Sequence, residues 1–208
     1  MESVVIFDFD DTLFPTSHAM KDDYHFYKLD KKFENFLFDF LTEVIETKSQ
    51  IYIITNAELN WVRYCFFNFM PKIEQLQPFL KIISATEMVK NTGIIDFDIN
   101  LYSKKFVFSS LFRELDKNKK YQLISIGDGS PEVIATKHIS QNFENIKTKM
   151  IQFIKEPSYD DVFNQLKLLR SSFKNIFDCE TNLELITQLS NVEKQLEQQE
   201  EELFRSLE

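Results

Sequence analysis

Cysteine and glycine are both scarce in this sequence of 208 residues. The two cysteines, Cys65 and Cys179, lie in separate segments with no Cys-x-x-Cys or Cys/His spacing. That pattern suggests neither a disulfide framework nor a zinc site, and both are read as reduced, buried thiols. Long apolar runs are missing too: none approaches the roughly 20 residues needed to span a bilayer. The N-terminus has no basic region leading into an apolar stretch, and Asp8 interrupts the first apolar run. A soluble, cytoplasmic protein with no membrane partner is expected. Basic charge is outweighed, with 24 Lys and Arg against 33 Asp and Glu for a net charge of −9. Such a chain has no general attraction to nucleic acid, and a nucleic-acid partner is not expected. Phenylalanine, by contrast, is abundant at 22 residues, and 43% apolar content suffices for one sizeable core. Because the excess runs through the whole chain, aromatic stripes are read as core and not as ligand-binding surfaces.

Apolar and polar residues alternate between strand-like and helix-like segments. "VVIF" opens as a buried strand, and residues 14–29 have no sustained period and read as a loop or small flap. Asp30 is placed to cap a helix in which Phe33, Phe36, Leu37, Phe40, Leu41, Val44 and Ile45 recur at helical spacing. "QIYIITNA" is a second strand, followed by a helix through "ELNWVRYCFFNFM" that stops before Pro71. "LKIIS" is a third strand, and 86–103 reads as irregular. A helix "KKFVFSSLFREL" shares one face among Phe108, Leu111, Phe112 and Leu115. "YQLISIGDGS", the helix "PEVIATKHI", the strand "KTKMIQFI" and a Ser158-capped helix complete the pattern. Alternating strands and helices predict an α/β fold, a Rossmann-like parallel sheet with helices on both faces. Residues 1–170 are assigned to that domain and 171–208 to a C-terminal helical extension. In the extension Leu185, Leu189, Val192, Leu196, Leu203 and Leu207 lie near a heptad seam. This helix either docks on its own domain or binds a protein partner.

Three aspartates crowd the end of the first strand in "VVIFDFDDTLF". In an open parallel sheet, ligands bind beyond the carboxyl ends of the strands. Asp8 and Asp10 end strand one, Thr55 ends strand two and Asp128 ends strand four, so these side chains can meet in one crevice. Carboxylates held together repel, and a hard cation such as Mg²⁺ relieves the repulsion through oxygen ligands. Gly127 and Gly129 flank Asp128 and suggest a tight turn or a close ligand approach. Glu58 and Trp61 lie just beyond strand two, near enough to shape the crevice, although Trp61 reads more readily as core. His18, His25 and His138 have no partner among these motifs and read as surface or flap residues.

The segments "DFDDTLF" (Asp8, Asp10, Thr12), "YIITN" (Thr55, Asn56), "SKKF" and "ISIGDGSPE" (Asp128, Glu132) stand in an order that resembles the four motifs of the haloacid dehalogenase-like superfamily. The resemblance covers residues 3–155. A closer one, through "TNAELNWV" and "IQFIKEPSYDDVFNQL", is to a eukaryotic group of such proteins without an assigned substrate. It implies a Mg²⁺-dependent phosphatase in which Asp8 attacks a phosphoryl group and Asp10 protonates the leaving oxygen, then activates water. The metal would be held by the Asp8 side chain, the Asp10 carbonyl and Asp128, with Glu132 orienting water on that ion. Thr55, Asn56 and Lys104 would contact the phosphoryl group. The motif lysine is Lys104 or Lys105; Lys104 is favoured because Phe108 and Leu111 follow it at i+4 and i+7, on the core-facing side.

Only about 35 residues separate the first two motifs, too few for an inserted cap, since independent domains need roughly 50. An open site of this kind suits a phosphorylated substrate that is either macromolecular or enclosed by a partner. The competing reading is a catalytically dispensable scaffold, a subunit attached to a larger assembly through its C-terminal helix.

Overall fold

The computed structural model describes residues 1–21, 28–93 and 98–187. Its strands are β1 (Glu2–Phe7), β2 (Gln50–Thr55), β3 (Leu80–Ser84), β4 (Tyr121–Gly127), β5 (Ile146–Gln152) and β6 (Leu183–Ile186). They form one all-parallel sheet in the order β3-β2-β1-β4-β5-β6. The helices are α1 (Thr16–Lys21), α2 (Lys31–Glu46), α3 (Leu59–Phe69), the single turn α4 (Pro71–Glu74), α5 (Ala85–Lys90), α6 (Ile99–Arg113), α7 (Ser130–Asn142) and α8 (Tyr159–Asp178). This is the α/β, Rossmann-like architecture that the alternation predicts. No described helix is long and apolar enough to cross a membrane.

The strand period of two divides the core into two layers. Val5 and Phe7 of β1, with Ile51, Ile53, Ile124, Ile126 and Ile151, pack against α2, α3 and α8. Val4 and Ile6, with Tyr52, Ile54 and Leu123, face α6 and α7. Helix starts follow local chemistry. The Asp30 carboxylate accepts from Lys32 N at 2.9 Å, and Ser158 and Asp161 form a reciprocal cap on α8.

The structure departs from the sequence reading in four places. The stretch read as a loop contains α1. The stretch read as irregular contains α5 and the start of α6, because Ser84 caps α5 and Asp98 accepts from Asn100 N and Leu101 N at 3.1 and 3.2 Å. The expected boundary at residue 170 falls inside α8, whose Phe173 and Ile176 belong to the core. Leu183–Ile186, expected to be helical, is strand β6: Leu183 and Leu185 pair with Lys149 and Ile151 on the open edge of β5, and that pairing overrides the helical spacing. The heptad positions from Leu189 to Leu207, like His25, lie outside the described residues.

The last crossover has an unusual hand. The connections β1–α2–β2, β2–α3–β3, β3–α6–β4 and β4–α7–β5 share one hand, the right-handed one that parallel crossovers adopt in about 98% of cases. The unit β5–α8–β6 steps across the sheet in the same direction as β4–α7–β5, yet α8 lies on the opposite face, with α2 and α3. It is therefore left-handed. Lys149 pins it: this fully buried lysine of β5 donates to Gln122 Oε1 at 2.6 Å and to the Phe177 carbonyl at 2.7 Å. An ammonium at a helix C-terminus satisfies an orphan carbonyl and complements the helix dipole. Burial pushes this ammonium below the usual lysine range. Lys149→Ala, which leaves both acceptors and a cavity behind, should lower the unfolding free energy in urea by about 2–4 kcal/mol. Lys174→Ala, at an exposed i,i+4 pair, should change it by less than about 0.5 kcal/mol.

Candidate functional site

Strand order reverses direction between β1 and β4, and the crevice at their carboxyl ends is where a sheet of this kind binds ligands. Asp8 extends the β1 ladder through its N–H to Ile126 O at 2.8 Å. Beyond it the chain turns sharply: Phe9 O accepts from Leu13 N and Phe14 N at 2.9 and 3.0 Å, and Asp11 sits at φ 56°. Aspartate tolerates this left-handed geometry, and here Ser17 N donates to its carboxylate at 2.8 Å. Burial, opposed by these Ser17 hydrogen bonds, holds the Asp11 carboxyl above its usual range. The Thr12 hydroxyl is buried with no hydrogen-bond partner among the described residues.

The turn carries Asp10 back to three donors. Its Oδ1 accepts from Thr16 Oγ1 at 2.6 Å and from the indole Nε1 of Trp61 at 2.8 Å. Its Oδ2 accepts from Thr55 Oγ1 at 3.1 Å, and Thr55 Oγ1 itself accepts from Ala57 N at 2.9 Å. Trp61 thus meets the acidic motif directly and is not merely core. Asn56, expected to touch substrate, is engaged elsewhere. Its Nδ2 donates to Asn100 O at 2.7 Å and its Oδ1 accepts from the buried Ser103 hydroxyl at 2.7 Å. It clamps the first turn of α6 to the end of β2, one residue ahead of Lys104.

Lys104 is buried, whereas Lys105 is only partly covered. The Lys104 ammonium lies 2.6 Å from Asp8 Oδ1 and also contacts Glu132. Burial works against this charge, but Asp8 and Glu132 outweigh it and hold the ammonium above the usual lysine range. Burial likewise works against the Glu132 carboxylate, yet Lys104 keeps it below its ordinary range. Asp8 goes the other way: burial dominates, and its carboxyl is raised well above the usual range despite Lys104. Asp128 is pushed up to about 6 by burial and by the neighbouring Glu132 and Asp11.

The glycines beside Asp128 have a steric explanation. Neither has positive φ; a Cβ on Gly127 would overlap Glu132 Cγ, and one on Gly129 would lie 2.8 Å from Glu132 Oε2. They let the Glu132 side chain fold across the turn, where its Oε2 accepts from Gly129 N at 3.1 Å.

Asp8, Asp128 and Glu132 offer carboxylate oxygens that all lie within 4.8 Å of one another. The Lys104 ammonium pairs with Asp8 and Glu132 but not with Asp128, and burial, with the neighbouring carboxylates, raises the Asp8 and Asp128 carboxyls. An all-oxygen set with this excess of negative charge fits a hard divalent cation such as Mg²⁺. The remaining candidates lie apart. Glu58 stands at the start of α3 and makes no side-chain cap, His18 packs on Tyr159, and His138 sits on α7 with Asn142. Of the cysteines, Cys65 is buried and its thiol raised by burial, but Cys179 is partly exposed; both are free. No family model matches the chain, and no curated protein matches it.

The Asp128 shift fixes the sign of a pH effect in metal-free protein. A carboxyl raised to about 6 from 3.8 binds its proton more tightly in the folded state, so it costs stability as pH rises through that window. Asp128→Asn should therefore gain on the wild type between pH 4 and 6, reaching about 1–3 kcal/mol at pH 7 in chelator, as read by urea melts.

Proposed function

We propose that this chain is a Mg²⁺-dependent phosphomonoester hydrolase of the haloacid dehalogenase-like superfamily, acting through an aspartyl-phosphate on Asp8. The observation that carries the reading is the buried Asp8–Lys104–Glu132 group at the sheet's switch point, beside an Asp10 held by separate donors. A structural domain gains little from burying such charges, because desolvation offsets most of their attraction, and strongly shifted carboxyls in a crevice are typical of catalytic sites.

In the proposed reaction an Asp8 oxygen attacks phosphorus, the bond from phosphorus to the leaving oxygen breaks, and Asp10 transfers its proton to that oxygen. Water then attacks the phosphorus of the aspartyl-phosphate and gives its proton to Asp10. The bond from Asp8 to phosphorus breaks, and phosphate leaves. Lys104 neutralises Asp8 and the equatorial oxygens, and Thr55 donates its hydroxyl to the phosphoryl group. Asp8, Asp128 and the Asp10 carbonyl would hold Mg²⁺, which supplies charge neutralisation for Asp8 and the phosphoryl oxygens when bound. Glu132 fixes Lys104, and Asn56 acts on the reaction only through the α6 turn that carries it. The short connections suit a phosphate presented on a larger molecule.

The test is hydrolysis of p-nitrophenyl phosphate with Mg²⁺ and after chelation. Turnover should require the ion and vanish in Asp8→Asn, while Asp10→Asn should lose about 10²–10⁴-fold. Lys104→Met should fall by about 10²-fold or more, with circular dichroism reporting whether the fold survives. Full activity of Asp8→Asn would overturn the assigned nucleophile, and undiminished turnover in chelator would overturn the metal requirement.

A further inference from the structure

The two oxygens of Asp10 are held unequally, and the difference assigns them separate duties. Among the described residues, Oδ1 takes two donors, Trp61 Nε1 at 2.8 Å and Thr16 Oγ1 at 2.6 Å, whereas Oδ2 takes only the longer contact from Thr55 Oγ1 at 3.1 Å. An indole N–H donates and cannot accept, so its bond to Oδ1 has one polarity. The ring itself is well fixed: it stacks on Tyr64 with centroids 6.0 Å apart and meets Phe14 edge-on at 6.2 Å. Thr55 is the opposite case. Its hydroxyl has a single proton, given either to Oδ2 or to a phosphoryl oxygen, and never to both.

We infer that Trp61 and Thr16 are positioning residues that fix Oδ1 of Asp10, leaving Oδ2 as the oxygen that exchanges a proton with the leaving group and with water. The inference rests on the phosphatase reading above. When a phosphoryl group arrives, the Thr55 proton turns to it and Oδ2 is released. A proton on Oδ2 passes to the leaving oxygen as its bond to phosphorus breaks. Water returns a proton to the same Oδ2 as its oxygen bonds to phosphorus and the Asp8 ester opens. Trp61 touches none of the reacting atoms; it acts by holding the carboxylate at one angle.

Trp61 is the only tryptophan of the chain, so protein labelled with ¹⁵N at the indole gives one side-chain N–H signal to follow. Asp10→Ala should move that signal and speed its exchange with water by about tenfold or more, because the part-buried acceptor is lost. An unmoved signal would overturn the contact. Kinetics then test the duty. An alkyl phosphate, with a poor leaving group, needs the Asp10 proton to break its bond, whereas p-nitrophenyl phosphate needs it little in that step. In Trp61→Phe and in Thr16→Val, single-turnover cleavage of the alkyl ester should fall at least about tenfold further than the nitrophenolate burst, with KM little changed. Equal losses on both esters, accompanied by a lowered melting temperature, would mark a packing role and overturn the proposal. A wild type that cleaves neither ester with Mg²⁺ while the indole signal still responds to Asp10→Ala would sink the phosphatase reading and the proton assignment with it. The contact alone would then remain.

Discussion

A buried lysine between two carboxylates is the constraint on which the site is built. Lys104 bridges Asp8 at the end of β1 and Glu132 on the first turn of α7, so a single ammonium ties together α6 and both sides of the switch point. Taking these charges out of water costs several kcal/mol per ion, which the pairing only partly offsets, and the surroundings are arranged to keep the geometry. Gly127 and Gly129 leave room for the Glu132 side chain, and the Gly129 N–H anchors its second oxygen. Asn56 and Ser103 set the first turn of α6 so that Lys104 projects inward. Each of these features has a local explanation, but together they serve one ion group.

The two aspartates of the first motif occupy different electrostatic worlds although only one residue separates them. Asp8 is surrounded by charge: one ammonium, two further carboxylates and little solvent. Asp10 is held by neutral donors from an indole and two hydroxyls. Environments that differ in this way are what separates a nucleophile from a proton carrier when both are carboxyl groups. The turn at Phe9–Phe14 creates the separation by folding Asp10 away from the ion group, and the left-handed Asp11 makes the turn tight enough to do so.

What was legible in the sequence followed from periodicity and from strand ends. Short buried runs that stop at polar residues, such as "YIITN" and "LISIGD", mark both the strand and the place where it ends, so Asp8, Thr55 and Asp128 were readable as neighbours. Lys104 was favoured over Lys105 because Phe108 and Leu111 set its helix face, and the burial of Lys104 beside Asp8 is what the fold adds. Trp61 was readable as a residue near the crevice, though more readily as core, and only the fold reveals that its N–H edge points to Asp10. At Asn56 an amide at a strand end suggests a ligand contact, and the fold adds hydrogen bonds to a helix turn distant in sequence. Strand β6 was hidden because Leu183–Ile186 suits either element locally, and the open edge of β5 that decides it is a tertiary fact.

The left-handed crossover links these two themes. By crossing on the face of α2, α8 brings its first turn against the segment that follows the acidic motif: Tyr159 packs on His18 of α1 at 6.1 Å and on Phe33 of α2 at 5.5 Å. Helix α1 is only six residues long and has little stability of its own. It nonetheless carries Thr16 and Ser17, which hold Asp10 and Asp11. A right-handed path would have put α8 on the far face with α6 and α7, leaving α1 without the Tyr159 wall. The rarer hand thus places Tyr159 beside the turn, with Lys149 fixing the other end of α8 through the Phe177 carbonyl. The C-terminal part of the fold, distant in sequence from every motif, thereby helps to hold the first motif in shape.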